Sequence, residues 1–169
     1  MKYRRLQADE LQELETEFIQ FLSANTITGP DWEKLKQNDP SHAEGLIDLF
    51  SDIVFDKVIR QIRFLEVITP RDIRTFQCDD DLIRMNGLRV VGDCDLDFTR
   101  DQKPAEWYDQ ARASGATLQA YSGEKGYQPD REEELFRMMQ QGALISRDGH
   151  LYQTLEALKG PDRSAATQG

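Results

Sequence analysis

The sequence predicts an α+β fold in which N-terminal helices pack on a small, mainly antiparallel sheet. Residues 46–62 form the longest dense apolar run, and its spacing is helical. After Pro70 the pattern changes to short runs typical of strands, residues 73–78 and 82–91, joined by an Asp79-Asp80-Asp81 turn. Because 169 residues are enough for one domain with its own core, we predict a single domain over residues 1–159 and a disordered tail over residues 160–169.

The central helix is the best-defined element of the pattern. Its apolar residues fall on one broad side, which predicts contact with more than one neighbouring element. Asp39 is suited to the N-cap and Pro40 to the first helical position, and Thr69-Pro70 marks a boundary. Residues 62–68 fit either a strand, by their β-branched content, or a helix, by spacing. We predict that the helix continues to about residue 66.

The other elements follow from spacing, caps and turn residues. Residues 8–24 form one amphipathic helix, and a shorter helix begins near Thr28. Asn86-Gly87, inside the second strand run, indicates either a bulge or a tight turn. The remaining predictions are a helix over residues 103–114, a strand over 116–122, a flexible loop over 123–126, a helix between Asp130 and Gly142, and a hairpin formed by 143–146 and 150–155.

Composition narrows the classes of function. The net charge is −10 and the pI is about 4.7, so nucleic acid, which requires phosphate neutralisation by Lys and Arg, is not the expected partner. Cys78 and Cys94 are too few for a disulfide scaffold or a four-cysteine zinc site. The N-terminus has no apolar core of a signal peptide, and no run has the length of a membrane span. We therefore expect a cytoplasmic protein.

Four carboxylates follow one another at i, i+4 spacing along the central helix. We call Glu44, Asp48, Asp52 and Asp56 the acidic row. Like charges at this spacing destabilise a helix by roughly 0.2–0.5 kcal/mol per pair, so helix stability does not explain the row. One interpretation is a solvated face, and the other is a binding surface for a protein partner with a basic surface or for a divalent cation. Calcium and magnesium sites, however, normally draw their ligands from several segments.

The segment after the second strand run suggests a metal site. Asp93, Asp95 and Asp97 alternate with other residues, as in enzymes whose paired carboxylates hold Mg²⁺. An EF-hand needs Gly and Glu at the sixth and twelfth positions, but Phe98 and Pro104 occupy them. The hypothesis is a Mg²⁺- or Ca²⁺-dependent hydrolase or transferase that uses these three residues, with Asp79 to Asp81 as further candidates.

No phosphate-binding glycine loop is present, and neither His42 nor His150 belongs to a paired-ligand motif. The absence of catalytic motifs, together with the acidic row, favours a non-enzymatic protein-binding or regulatory module over the metal-dependent enzyme. A homo-oligomeric structural protein is the third hypothesis. The sequence leaves substrate, partner and oligomeric state open.

Several short segments together carry a resemblance to a known family. They are Met1-Lys2-Tyr3-Arg4-Arg5-Leu6, Glu17-Phe18-Ile19-Gln20-Phe21-Leu22, Asp31-Trp32-Glu33-Lys34, Leu49-Phe50-Ser51-Asp52-Ile53-Val54, Phe64-Leu65-Glu66 and Gln141-Gly142-Ala143. The chain, apart from its tail, resembles a family of small uncharacterised proteins from Bacteroidota bacteria. The resemblance implies a bacterial cytosolic protein and assigns no activity or site residue.

Overall fold

The computed structural model describes residues 1–159, and the predicted tail over residues 160–169 lies outside them. The chain divides into two compact units, Met1–Gln61 and a second unit that begins at Ile62. Among the described residues, the first unit is helical and the second contains every strand, which confirms the α+β class. The single domain over residues 1–159 stays a prediction.

The first unit contains four helices: α1 (Ala8–Glu13), α2 (Glu15–Ala24), α3 (Gly29–Asn38) and α4 (Pro40–Gln61). The single helix predicted over residues 8–24 is interrupted at Leu14, where φ is −100° and ψ is 22°. The start predicted near Thr28 is confirmed, because the Thr28 side chain accepts a hydrogen bond from the Asp31 N–H and caps α3. Pro40 is the first residue of α4, as predicted.

The core of the first unit is aromatic. Its buried members are Leu6, Phe18, Leu22 and Phe50. The Phe18 ring meets Trp32 edge to face, with centroids 5.3 Å apart, and lies 5.1 Å from the Phe50 ring. Helix α4 is less buried than its broad apolar stripe predicts, because Leu49 and Ile53 stay 50% and 48% exposed.

The predicted extension of α4 to about residue 66 is wrong. The helix ends at Gln61, and strand β1 occupies Phe64–Thr69. Val67 and Ile68 are β-branched and suit a pleated surface, and the whole strand pairs with a neighbour, from Phe64 opposite Gln77 onward. Helical spacing over one turn cannot outweigh a complete ladder of backbone hydrogen bonds.

The second unit contains a five-stranded sheet in the order β4-β3-β2-β1-β5, in which all neighbours are antiparallel. The further strands are β2 (Asp72–Cys78), β3 (Leu82–Val91), β4 (Thr117–Gly126) and β5 (Leu144–Ser146). Both predicted runs after Pro70 are therefore strands. The loop predicted over residues 123–126 is wrong, since these residues extend β4 and pair with residues 82–85 of β3.

Gly87 lies in an unbroken strand, so both the bulge and the turn predicted at Asn86-Gly87 are wrong. Asn86 pairs with Thr75 and Gly87 with Arg74 without any change of register. On its other side Gly87 faces Tyr121, whose ring covers it so closely that a Cβ atom would lie 2.1 Å from the ring. Glycine is needed here to admit the aromatic side chain, and its backbone freedom is not used.

Up to residue 159, three helices accompany the sheet: α5 (Pro104–Ser114), α6 (Arg131–Gln140) and α7 (His150–Leu158). The hairpin predicted for residues 143–155 is wrong in its second half, because α7 replaces the second strand. Tyr152 and Leu155 are both buried and three residues apart, a separation that puts them on one side of a helix. Leu155 joins Leu88 of the sheet and Trp107 of α5 in the core of this unit.

Helix α6 begins and ends where the sequence predicts. The Asp130 side chain accepts from the Glu133 N–H, and Gly142, with a φ of +106°, follows the end. Arg131, in the first turn, donates hydrogen bonds to the carbonyl oxygens of Ile62, Cys78 and Asp79. One guanidinium thus ties α6 to the residues beside β1 and β2. Within residues 1–159 no helix is both long and apolar enough to cross a membrane.

Candidate functional site

The acidic row lies along α4, and residues 2–6 of the same chain run across it. We call residues 2–6 the N-terminal segment. Asp52 accepts hydrogen bonds from two consecutive backbone N–H groups, those of Lys2 (2.7 Å) and Tyr3 (3.0 Å), one on each carboxylate oxygen. Because one carboxylate binds two successive backbone N–H groups, it fixes the path of the backbone at this point.

The neighbouring carboxylates bind the side chains of the same segment. Asp56 accepts from the Tyr3 hydroxyl at 3.0 Å and from Lys2 Nζ at 3.4 Å. Arg5 binds Asp48 through two parallel hydrogen bonds, of 2.5 Å from Nε and 3.0 Å from Nη2, and lies 3.7 Å from a Glu44 oxygen. This fork-to-fork geometry is the strong form of an arginine–carboxylate pair.

A buried anchor follows the charged contacts. The Leu6 side chain is only 7% exposed, and its N–H donates to the buried Ser51 hydroxyl at 3.0 Å. Ser51 in turn donates to the Ile47 carbonyl at 2.7 Å. The sequence reasoning missed Ser51, although a serine within the apolar run of α4 signals a buried polar contact.

Arg4 points away from the acidic row. It forms a bidentate pair with Glu10, with both contacts at 2.7 Å, and its guanidinium lies 4.8 Å from the centre of the Phe55 ring. Tyr3 packs against the same ring at 5.9 Å. The segment therefore contacts Glu10 and the Phe55 ring as well as the acidic row.

Contacts with the segment lower the pKa values of Asp48 and Asp56 in the row and of Glu10 beside it. The pKa of Asp48 lies below its ordinary value because Arg5 hydrogen-bonds to the carboxylate. Burial works against ionisation of Asp56, but the hydrogen bonds from Tyr3 and Lys2 outweigh it, so the pKa of Asp56 is also lowered. The pKa of Glu10 falls to about 2, chiefly through its hydrogen bonds from Arg4. All three groups are anions at neutral pH.

The acid-rich loop after β3 has a different character. Asp93 and Asp95 are exposed, whereas Asp97 folds back and accepts from the Thr99 N–H (2.9 Å) and hydroxyl (2.5 Å). These hydrogen bonds lower the pKa of Asp97. Across residues 1–159, no group of three or more His, Cys, Asp or Glu side chains is arranged to hold a metal ion. The geometry thus adds nothing to the metal hypothesis for Asp93, Asp95 and Asp97.

Similarity to other proteins points to a family without assigning an activity. No curated protein matches the chain. No solved structure matches it either. A family profile described as a family of unknown function, DUF6495, matches residues 1–160, which include the acidic row and every described strand. The match agrees with the resemblance carried by the short segments, and the chain belongs to this family of unknown function.

Proposed function

We propose that the protein is a non-enzymatic protein-binding module, and that the acidic row on α4 is the docking surface for an extended basic segment of a partner. The observation that supports this proposal is the position of the N-terminal segment. Its sequence, Lys2-Tyr3-Arg4-Arg5-Leu6, places cations, an aromatic ring and an apolar anchor on α4. A partner segment with the same order of side chains would find the same contacts.

The segment is held in a way that permits exchange. Its ion pairs join exposed or half-exposed side chains, such as Arg5 and Asp48 at 41% and 28% exposure, so solvent screens them. Salt weakens them further. The largest fixed contribution is burial of Leu6, on the order of 1.5–3 kcal/mol. A competing partner must overcome this anchor and the high local concentration of a tethered segment.

We also propose a cytoplasmic location in a bacterial cell, on the basis of the family resemblance and the two thiols. Cys78 and Cys94 are both free, which suits a reducing compartment. Burial raises the pKa of the Cys78 thiol to about 12, so it stays protonated and unreactive at neutral pH.

The test is a competition between the tethered segment and the same sequence added in solution. The probe is a peptide of residues 1–8 with a fluorophore at its C-terminal end, and the protein is a Lys2→Ala/Arg5→Ala variant that keeps Leu6. We expect the peptide to bind this variant at low ionic strength. Wild-type protein should bind it about tenfold more weakly, because only the fraction with a displaced segment is competent.

Matched charge changes identify the surface. Asp48→Asn/Asp52→Asn/Asp56→Asn, introduced into the Lys2→Ala/Arg5→Ala variant, should abolish binding of the peptide. Glu13→Gln/Glu15→Gln/Glu17→Gln removes three exposed charges elsewhere in the first unit and should leave binding unchanged. Circular dichroism establishes that each variant is folded. Equal binding to the two triple variants, or no binding to the Lys2→Ala/Arg5→Ala variant, would overturn the proposal.

A further inference from the structure

A second surface, in the sheet unit, carries features that the acidic row does not explain. A cleft of 270 Å³, which we call the polar cleft, is lined by residues of β3, β4 and α7. Arg84 and Asn86 come from β3, Ser122 and Glu124 from β4, and Glu156 from α7. Arg84 and Asn86 are two residues apart on one strand, so their side chains leave the same face of the sheet.

Asn86 lies on the buried face of β3, where the alternation of buried and exposed residues predicts an apolar side chain. It is only 1% exposed; its partner across the sheet, Thr75, and Leu88, two residues further along β3, are buried as well. Its Nδ2 donates to Glu156 Oε2 at 2.6 Å, but its Oδ1 has no hydrogen-bond partner among the described residues. A buried acceptor without a donor destabilises a fold, so a purely structural role does not account for an amide here.

Glu156 is a fixed anion at this cleft. The hydrogen bond from Asn86 is the main reason that the pKa of Glu156 lies below its ordinary value, and Lys159, 3.1 Å away, adds to the effect. The Glu156 side chain is nevertheless 50% exposed. The carboxylate is therefore both oriented from the protein side and accessible from solvent.

Arg84 supplies the complementary cation. Its nearest carboxylate oxygens belong to Asp79 at 3.6 Å and Glu124 at 3.8 Å, and both distances exceed a hydrogen bond. Half of its side chain is exposed. The guanidinium fork is thus oriented by charge without being committed to a bidentate partner, which is the geometry suited to a ligand carboxylate.

Among the residues that line the polar cleft, the cations Arg84 and Lys159 equal the anions Glu124 and Glu156 in number, and Asp79 adds a negative charge 3.6 Å from Arg84. We propose that the cleft binds a small zwitterion, a free α-amino acid or a dipeptide. The ligand carboxylate pairs with Arg84, the ligand ammonium group pairs with Glu156, and Ser122 offers a further hydroxyl. The volume of 270 Å³ admits a molecule of this size.

Isothermal calorimetry with blocked and free ligands tests this assignment. Alanine, leucine and alanyl-alanine are compared with N-acetyl-alanine, which lacks the ammonium group, and with alanine amide, which lacks the carboxylate. We expect at least one free zwitterion to bind, and its blocked analogues to bind at least tenfold more weakly. Single amino acids and the dipeptide form separate arms, so the result also identifies which of the two the cleft accepts.

Variants locate the binding to the polar cleft. Arg84→Gln and Glu156→Gln should each weaken binding at least tenfold. Arg89→Gln, on the same strand but the opposite face, and Glu133→Gln, on exposed α6 surface, are the matched controls and should bind like wild type. Absence of binding by every zwitterion at millimolar concentration would overturn the proposal. Equal binding of the blocked ligands, or unchanged affinity of both cleft variants, would also overturn it.

Discussion

The substitution Gly87→Ala tests whether the Tyr121 ring, rather than backbone freedom, explains glycine in the middle of β3. An added Cβ would lie 2.1 Å from the nearest ring atom, against 3.4 Å for an ordinary contact, so the ring must move by roughly 1.3 Å. The Tyr121 hydroxyl donates to Asp72, and Arg89 lies 5.6 Å from the ring centre. A displacement of this size breaks the first contact and weakens the second.

The expected change in the free energy of unfolding follows from these contacts. Overpacking costs about 1–3 kcal/mol, and loss of the hydrogen bond to a half-exposed carboxylate adds about 1 kcal/mol. Alanine in place of glycine in a strand recovers about 0.5–1 kcal/mol. We therefore expect Gly87→Ala to lower the free energy of unfolding by about 1–3.5 kcal/mol. In a Tyr121→Ala background the same change should instead raise it by about 0.5–1 kcal/mol.

Urea denaturation followed by Trp107 fluorescence measures both values, in a Trp32→Phe background so that the signal comes from the sheet unit. Tyr121→Phe is the control, because it removes the hydroxyl but keeps the ring, so Gly87→Ala should still destabilise it. The reasoning would be refuted if Gly87→Ala had the same effect with tyrosine and with alanine at position 121. Such a result would assign the glycine to backbone geometry.

Two further predictions concern the helical unit. Because the folded-state pKa of Glu10 is lowered to about 2, from an ordinary value of 4.5, its contribution is present above pH 4.5 and is lost as the pH falls towards 2. Urea midpoints should fall through this window, and less steeply in Glu10→Gln; identical profiles would contradict the assignment. Ser51→Ala leaves the buried Leu6 N–H without an acceptor and should cost about 1–3 kcal/mol, whereas exposed Ser23→Ala should be neutral. Both predictions are measured by urea denaturation followed by Trp32 fluorescence in a Trp107→Phe background, so that the signal comes from the helical unit.

Elements marked by local chemistry were predictable from the sequence. Thr28, Pro40, Asp130 and Gly142 act through hydrogen bonds or backbone angles within a few residues of themselves, so the helix boundaries that they mark were predicted correctly. The fold class was predictable for the same reason. Where a long stretch has one period, local preference and tertiary packing agree.

The errors occur where a distant partner decides the structure. Residues 64–69 keep some helical spacing, yet they form β1 because β2 pairs along their whole length. Residues 123–126 contain two glycines, yet they form strand because β3 lies beside them. Asn86-Gly87 is a typical turn dipeptide, yet it lies within β3. Gly87 there faces Tyr121 of the opposing strand, which is 34 positions away in the sequence. None of these partners can be identified from the local sequence.

In the candidate site, too, local features were predictable and contacts with distant residues were not. The spacing of Glu44, Asp48, Asp52 and Asp56 places them on one face of α4, and that part was predictable. The contacts with Lys2 and Arg5 were not, because 39 to 54 residues separate the partners along the chain. Both sets of charges were visible in the sequence. What was lacking was any signal that the segment folds back onto the helix.

The strand order of the sheet has a consequence for self-association. The two outer strands are β4, with ten residues, and β5, with three, and an unpaired outer strand is a template for another chain. The longer one carries the charged side chains Glu124 and Lys125, and charged residues on an edge strand discourage pairing with another chain. The shorter one exposes Leu144 and Ile145 but offers too few backbone groups for a stable ladder. Length and apolar surface, which together promote fibril growth, are thus kept on opposite edges.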